Sequence, residues 1–89
     1  MTKVYNPLVL DTDKDKPTFE DDKAKWWLVE VSPSKRYYLY VVYSILQKEK
    51  NYMIVDNKKQ SVISISKRLE DIATEMDILD RSVKLGWLK

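Results

Sequence analysis

Cysteine and histidine are both absent from this chain of 89 residues. Without cysteine there are no disulfide bonds and no thiolate chemistry. Without histidine the chain also lacks the commonest metal-binding side chain and the commonest general base of enzymes. Gly86 is the only glycine, which excludes a glycine-rich phosphate-binding loop. We therefore expect a binding protein that is not an enzyme and that uses neither a metal nor a cofactor.

Long hydrophobic runs are absent as well. No uncharged apolar stretch approaches the roughly 20 residues that cross a membrane, and the N-terminus lacks the basic and then apolar pattern of a signal peptide. Hydrophobic residues make up 44% of the chain and charged residues 34%, a composition typical of a globular domain. We expect a soluble, cytoplasmic protein without a membrane partner.

The most informative stretch that is present is residues 37–46, which read YYLYVVYSIL and carry no charge. Tyrosine and β-branched residues dominate it, and this composition favours a β-strand. An exposed strand of this kind would pair with copies of itself, so we expect an internal strand with both edges occupied. The alternative is a helix over residues 32–48, capped by Ser32 with Pro33 at its first position. Such a helix would be apolar on nearly every side.

Three further strands and one helix are predicted around this strand. Alternating patterns indicate strands at residues 26–31, 52–55 and 61–65, separated by polar turns. Apolar residues then recur at helical spacing and predict one amphipathic helix over roughly residues 67–84, with Ser66 placed to accept an N-terminal amide. These stripe residues are Leu69, Ile72, Ala73, Met76, Leu79 and Val83.

The fold class expected from this order is α+β, with an antiparallel β-meander of about four strands and one C-terminal helix packed on one face. Residues 26–89 would form this single domain. Residues 1–25 would form an N-terminal segment, largely a flexible charged linker. A possible edge strand lies at residues 4–10, where Pro7 cannot donate a ladder hydrogen bond.

Side-chain alternation along the strands divides the predicted sheet into two faces. The helix-covered face is expected to contain Trp27, Val29, Val31, Leu39, Val41, Ile45, Ile63 and Ile65. The other face is expected to contain Trp26, Leu28, Tyr38, Tyr40, Val42 and Ser44. One helix can cover only one face, which leaves the second face uncovered. This second face is too aromatic for an ordinary solvated surface, and we expect it to be the functional surface.

Basic residues in the turns are expected to border this aromatic face. Aromatic rings that stack on bases, edged by cations that meet phosphates, are the components of a single-stranded nucleic-acid site. The predicted stacking residues are Trp26, Tyr38 and Tyr40, and the predicted phosphate-binding residues are Lys35, Arg36, Lys58 and Lys59. The ligand would be single-stranded DNA or RNA.

The element order also bears a family resemblance. Four strands followed by one helix behind a charged tail, with the strand-to-helix passage at residues 61–72, are similar to the Whirly and transcriptional positive-cofactor class of single-stranded DNA binders. The resemblance implies this fold and a single-stranded DNA-binding role. It is a resemblance of element order, so no site residue is carried over from that class.

A second hypothesis is a protein-interaction module, such as a small viral or mobile-element regulator or inhibitor of a host enzyme, whose aromatic face binds a partner protein. A homodimer is a separate expectation, because one sheet face would be uncovered and the helix would leave a second apolar patch exposed. The predicted dimer or partner interface comprises Val42, Ile78, Leu85 and Trp87.

Three aspartates, Asp11, Asp13 and Asp15, have the opening spacing of a calcium-binding loop, and Asp22 falls at its twelfth position. Lys16 stands where such a loop requires glycine for its sharp turn. We therefore interpret this stretch as a solvated run of charges and predict no metal site.

Overall fold

The computed structural model describes residues 3–84, apart from the side chain of Lys84. It confirms the predicted α+β class, with one C-terminal helix and an antiparallel sheet that has five strands in the order β1-β2-β3-β4-β5. The elements are β1 (Phe19–Glu20), β2 (Ala24–Val31), β3 (Tyr37–Ser44), β4 (Glu49–Asp56), β5 (Ser61–Ser66) and α1 (Leu69–Lys84).

The uncharged run begins with β3, the central strand, which pairs with β2 on one side and β4 on the other. The helical alternative for this stretch is therefore wrong. Three hairpin turns connect β2 to β5, and each contains one residue with a positive φ: Lys35 at 62°, Lys48 at 56° and Gln60 at 54°. Glycine adopts this left-handed conformation without strain, whereas other residues do so at a cost of about 1–2 kcal/mol.

The predicted helix stripe is confirmed. Ile72 and Met76 are buried against the sheet, and Leu69, Leu79 and Val83 pack around them. The hydroxyl of Ser66 accepts a hydrogen bond from the Arg68 amide at 3.1 Å, just before the first turn of α1. The core on this side of the sheet comprises Trp27, Val29, Tyr37, Leu39, Val41, Tyr52, Ile54, Ile72 and Met76.

The N-terminal segment also packs against this core. Tyr5 and Leu10 contact the core cluster, and the Tyr5 amide donates to the Leu28 carbonyl at 2.8 Å. The indole Nε1 of Trp27 donates to the Asp15 carbonyl at 3.1 Å. Residues 4–10, where an edge strand was predicted, contain no strand, because the short strand that pairs with β2 is β1 further along the chain. The segment before β1 therefore packs on the core beside β2, whereas α1 contacts β3, β4 and β5.

The predicted inward positions of Ile63 and Ile65 are wrong. Ser64 pairs with Ile54 and Ser66 with Tyr52, so the serines of β5 lie on the side of α1. The Ser64 hydroxyl donates to Glu75 on the helix. Ile65 therefore lies on the opposite side and is 61% exposed. A bulge in the β4–β5 pairing, between Ile54 and Val55, leaves Ile63 without a partner residue and places Val62 on the same side as Ile65. The strand was identified correctly, but the bulge breaks the simple alternation on which its predicted faces depended.

Two more predicted core residues are displaced for local reasons. An irregularity in the β2–β3 pairing leaves Val29 without a partner residue and brings Val31 opposite Tyr38, on the side away from α1. A bulge of this kind adds one residue and breaks the simple alternation. Ile45 lies beyond the end of β3, in the turn to β4, and is exposed.

Candidate functional site

The sheet face opposite α1, here called the outer face, carries all three predicted stacking residues. Trp26 pairs with Val42, Tyr40 with Leu28 and Tyr38 with Val31 in the β2–β3 register. Paired residues of antiparallel strands point to the same face. The structure therefore brings Trp26, Tyr38 and Tyr40 together on one surface.

A fourth ring, that of Phe19 in β1, joins them. The Phe19 and Trp26 rings are stacked, with centroids 5.2 Å apart and planes 19° apart. Tyr40 meets both the Trp26 ring and the Phe19 ring edge to face, each at 5.6 Å, and Tyr38 lies 6.5 Å from Tyr40. We call Phe19, Trp26, Tyr40 and Tyr38 the aromatic row. Phe19 was not among the predicted site residues, although an isolated aromatic residue within a charged stretch was the available signal.

Aliphatic residues extend the outer face beyond the aromatic row. Leu28 and Val42 are buried within it, at 1% and 3% exposure. Val42, which was predicted as an interface residue, therefore presents almost no surface to a partner. Towards the edge strand β5 the face continues through Val62 and Ile65, which are 43% and 61% exposed. The outer face is thus aromatic at β1–β3 and aliphatic at β5.

Three of the four predicted phosphate-binding residues are exposed at one end of the sheet. Lys35 lies in the turn after β2, and Lys58 and Lys59 lie in the turn after β4. Both turns adjoin the Tyr38 end of the aromatic row, because Tyr38 pairs with Val31 and Val55 at the ends of those strands. Within residues 3–84, no carboxylate forms an ion pair with these three lysines.

The fourth residue, Arg36, serves the fold instead. Its Nε donates to Asp56 Oδ1 at 3.3 Å and its Nη2 to Asp56 Oδ2 at 3.1 Å. The two side chains are 10% and 3% exposed, so this guanidinium is already occupied and largely buried. The amides of Lys58 and Lys59 donate to Asp56 Oδ1 at 3.0 and 3.2 Å, which fixes the turn that presents the two lysines.

The hydrogen bonds to Asp56, made by Arg36 and by the Lys58 and Lys59 amides, determine the direction of its pKa shift. Burial by itself would raise the pKa of Asp56, but the hydrogen bonds from Arg36 and from the Lys59 and Lys58 amides outweigh it and lower the pKa below its ordinary value.

Burial raises the pKa of the Tyr40 phenol in the aromatic row, and the neighbouring Tyr38 adds to this shift. Tyr40 therefore remains a neutral ring at physiological pH.

Of the remaining predicted interface residues, Ile78 alone falls within the described range. Ile78 is 57% exposed on α1, away from the outer face. Leu85 and Trp87 lie outside the described residues. The sequence-predicted patch on the helix is therefore represented here by Ile78 alone.

Two of the four aspartates with calcium-loop spacing accept hydrogen bonds from nearby backbone amides. Asp11 Oδ1 accepts hydrogen bonds from the Asp13 and Lys14 amides at 2.9 and 3.2 Å, and Asp15 Oδ2 accepts one from the Asp11 amide. Across residues 3–84 the structure contains no group of acidic side chains suited to holding a metal ion. In the same range, α1 is not apolar enough to span a membrane.

A cavity of about 330 Å³ lies between the end of β2 and α1. Pro33, Met76 and Asp80 are among the residues that line it. Asp80 is 4% exposed and accepts a hydrogen bond from the Ser34 amide at 3.1 Å. This carboxylate therefore connects the β2–β3 turn to the helix.

No family model, no curated protein and no solved structure matches this chain. The function must therefore be argued from the geometry of the outer face and its lysines.

Proposed function

We propose that the protein binds single-stranded nucleic acid on its outer face. Bases would stack on the aromatic row, and Lys35, Lys58 and Lys59 would contact phosphates. The observation that carries the proposal is that aromatic rings from three strands contact one another on one face, with three exposed lysines at one end. Stacking of a base on an aromatic side chain contributes about 1–3 kcal/mol whichever base it is.

Titration of a fluorescently labelled oligothymidine should show saturable binding that weakens as salt rises. Three phosphate contacts predict a slope of about −2 for log affinity against log salt, or about a 20-fold loss between roughly 50 and 200 mM salt. The variant K35Q/K58Q/K59Q should bind weakly and nearly independently of salt. The matched control is K3Q/K14Q/K16Q, which removes the same charge from exposed residues of the N-terminal segment.

The control variant should retain the wild-type slope. If the two triple variants lose affinity equally, general charge and not the predicted lysines determines binding. If the wild type does not bind at low salt, the proposal is wrong. Parallel titrations with oligouridine and with a duplex of the same length separate RNA from DNA binding and single strands from double strands.

A second candidate function, protein interaction, is favoured by the aliphatic part of the outer face. Val62 and Ile65 are exposed on a six-residue edge strand that contains no charge. Exposed apolar surface next to aromatic rings is typical of protein interfaces. The partner would be a second copy of the chain or a host enzyme that the protein regulates.

Sedimentation of the I65E variant tests this candidate. If the outer face forms a homodimer, the wild type should sediment as a dimer at high concentration and I65E as a monomer. I78E is the matched control, because Ile78 is nearly as exposed but lies on α1. Dissociation by both variants would indicate a nonspecific effect of charge, whereas a wild type that stays monomeric excludes the homodimer.

A further inference from the structure

We infer that Phe19 is the main base-stacking residue at the β1 end of the site, and that the neighbouring Trp26 ring supports it. The inference rests on the proposed function. It assigns a role to a residue of the segment that the sequence analysis treated as a linker.

The stacking geometry separates the two roles. The Phe19 ring lies nearly parallel to the Trp26 ring, with centroids 5.2 Å apart, so it occupies one face of the indole. Phe19 is 49% exposed, whereas Trp26, Tyr38 and Tyr40 are all less exposed. The ring surface available to a ligand at this end of the aromatic row therefore belongs mainly to Phe19.

Hydrogen bonds on both sides of Phe19 hold its backbone against β2. The Thr18 amide donates to the Trp26 carbonyl at 2.7 Å, and the Thr18 hydroxyl accepts from the Leu28 amide at 2.9 Å. On the other side, the Asp21 amide donates to the Ala24 carbonyl at 2.9 Å. A strand of two residues is thereby fixed against β2, and its aromatic side chain is pre-positioned.

The charges around Phe19 differ from those at the lysine end. Glu20, Asp21 and Asp22 follow it directly and are all exposed, and Lys23 and Lys25 come next, with Lys25 paired to Glu20. Acidic residues thus outnumber basic ones beside Phe19, so a nucleotide here would be held mainly by its base. Loss of the Phe19 ring should consequently reduce affinity without changing the salt dependence, whereas loss of the lysines should change both.

Three substitutions test the role of the ring. F19L keeps an apolar side chain against Trp26 but removes the aromatic face, so it should weaken oligothymidine binding by about 10-fold, within the roughly 5- to 150-fold range for one stacked base. F19A should show a similar loss, and F19W should bind at least as tightly as the wild type. The slope against salt should stay at the wild-type value in all three. L8A is a control, because Leu8 is 82% exposed in the N-terminal segment.

The outcomes distinguish this inference from the proposed function. If the wild type binds and F19L binds equally well, Phe19 is only a packing residue and the inference is wrong, while the proposed function stands. A changed salt slope in F19L would also overturn it, since the variant would have disturbed the lysine end. If the wild type binds no oligonucleotide, the proposed function fails, and the inference fails with it.

Discussion

The D56A variant should lose about 3 kcal/mol of its free energy of unfolding, measured by urea denaturation. The substitution removes the acceptor of two hydrogen bonds from the Arg36 guanidinium and of two more from the Lys58 and Lys59 amides. The guanidinium would remain largely buried without its partner, and an unpaired buried charge is costly. A domain of this size has only about 5–15 kcal/mol of stability in total, so the variant should be close to unfolding.

The control for this prediction is D77A. Asp77 and Arg81 form an ion pair at 2.8 Å, which is shorter than the Arg36–Asp56 pair, but their side chains are 60% and 72% exposed. Exposed pairs contribute less than about 1 kcal/mol. If D77A and D56A lower the free energy of unfolding equally, burial does not determine how much the Arg36–Asp56 ion pair stabilises the fold.

The same cluster predicts part of the acid sensitivity of the fold. The pKa of Asp56 in the folded state is lowered from 3.8, its value in the unfolded chain. As the pH falls, the unfolded state binds the proton first, so this stabilisation is present above about pH 3.8 and is lost as the pH falls through the folded-state pKa. At neutral pH, D56N should have a lower free energy of unfolding than the wild type. As the pH falls from about 3.8 through the folded-state pKa of Asp56, D56N should lose less free energy of unfolding than the wild type.

The W27A variant should lose about 3–5 kcal/mol of its free energy of unfolding, the usual cost of removing a large buried aromatic side chain. Trp27 is completely buried between the sheet, α1 and the N-terminal segment. W27F should cost less, about 1–2 kcal/mol, because it keeps most of the volume but loses the hydrogen bond from Nε1 to the Asp15 carbonyl.

Limited trypsin digestion provides a second measurement for Trp27. In W27F the peptide bonds after Lys14 and Lys16 should be cleaved faster than in the wild type, since the indole hydrogen bond holds the chain between them. W26F is the control, because Trp26 lies on the outer face. Equal cleavage of W27F and wild type would show that this hydrogen bond does not hold the segment.

The fold was predictable where one strong pattern determined an element. Residues 37–46 indicated the central strand by composition, and the helix stripe indicated α1 by spacing. The side of β5 that faces the helix was not predictable in this way. Both sets of side chains there are short or aliphatic, and the choice depends on the β4–β5 bulge and on the bond between Ser64 and Glu75.

The candidate site was predictable in the same partial way. Alternation along β2 and β3 placed Trp26, Tyr38 and Tyr40 on one face. The occupation of Arg36 by Asp56 was not predictable, because the two residues are 20 positions apart and only the strand register brings them together. Phe19 was missed because a strand of two residues has no periodicity to detect.

The two turns that carry Lys35, Lys58 and Lys59 are joined to each other and to the helix. The Asn57 amide donates to the Arg36 carbonyl at 2.7 Å, and the Ser34 amide donates to Asp80 of α1. The backbone beneath these cations is thus already ordered in the free protein. Binding of an anion to these lysines would therefore cost little backbone conformational entropy in the turns. The main loss of conformational entropy would come from the lysine side chains and from the ligand.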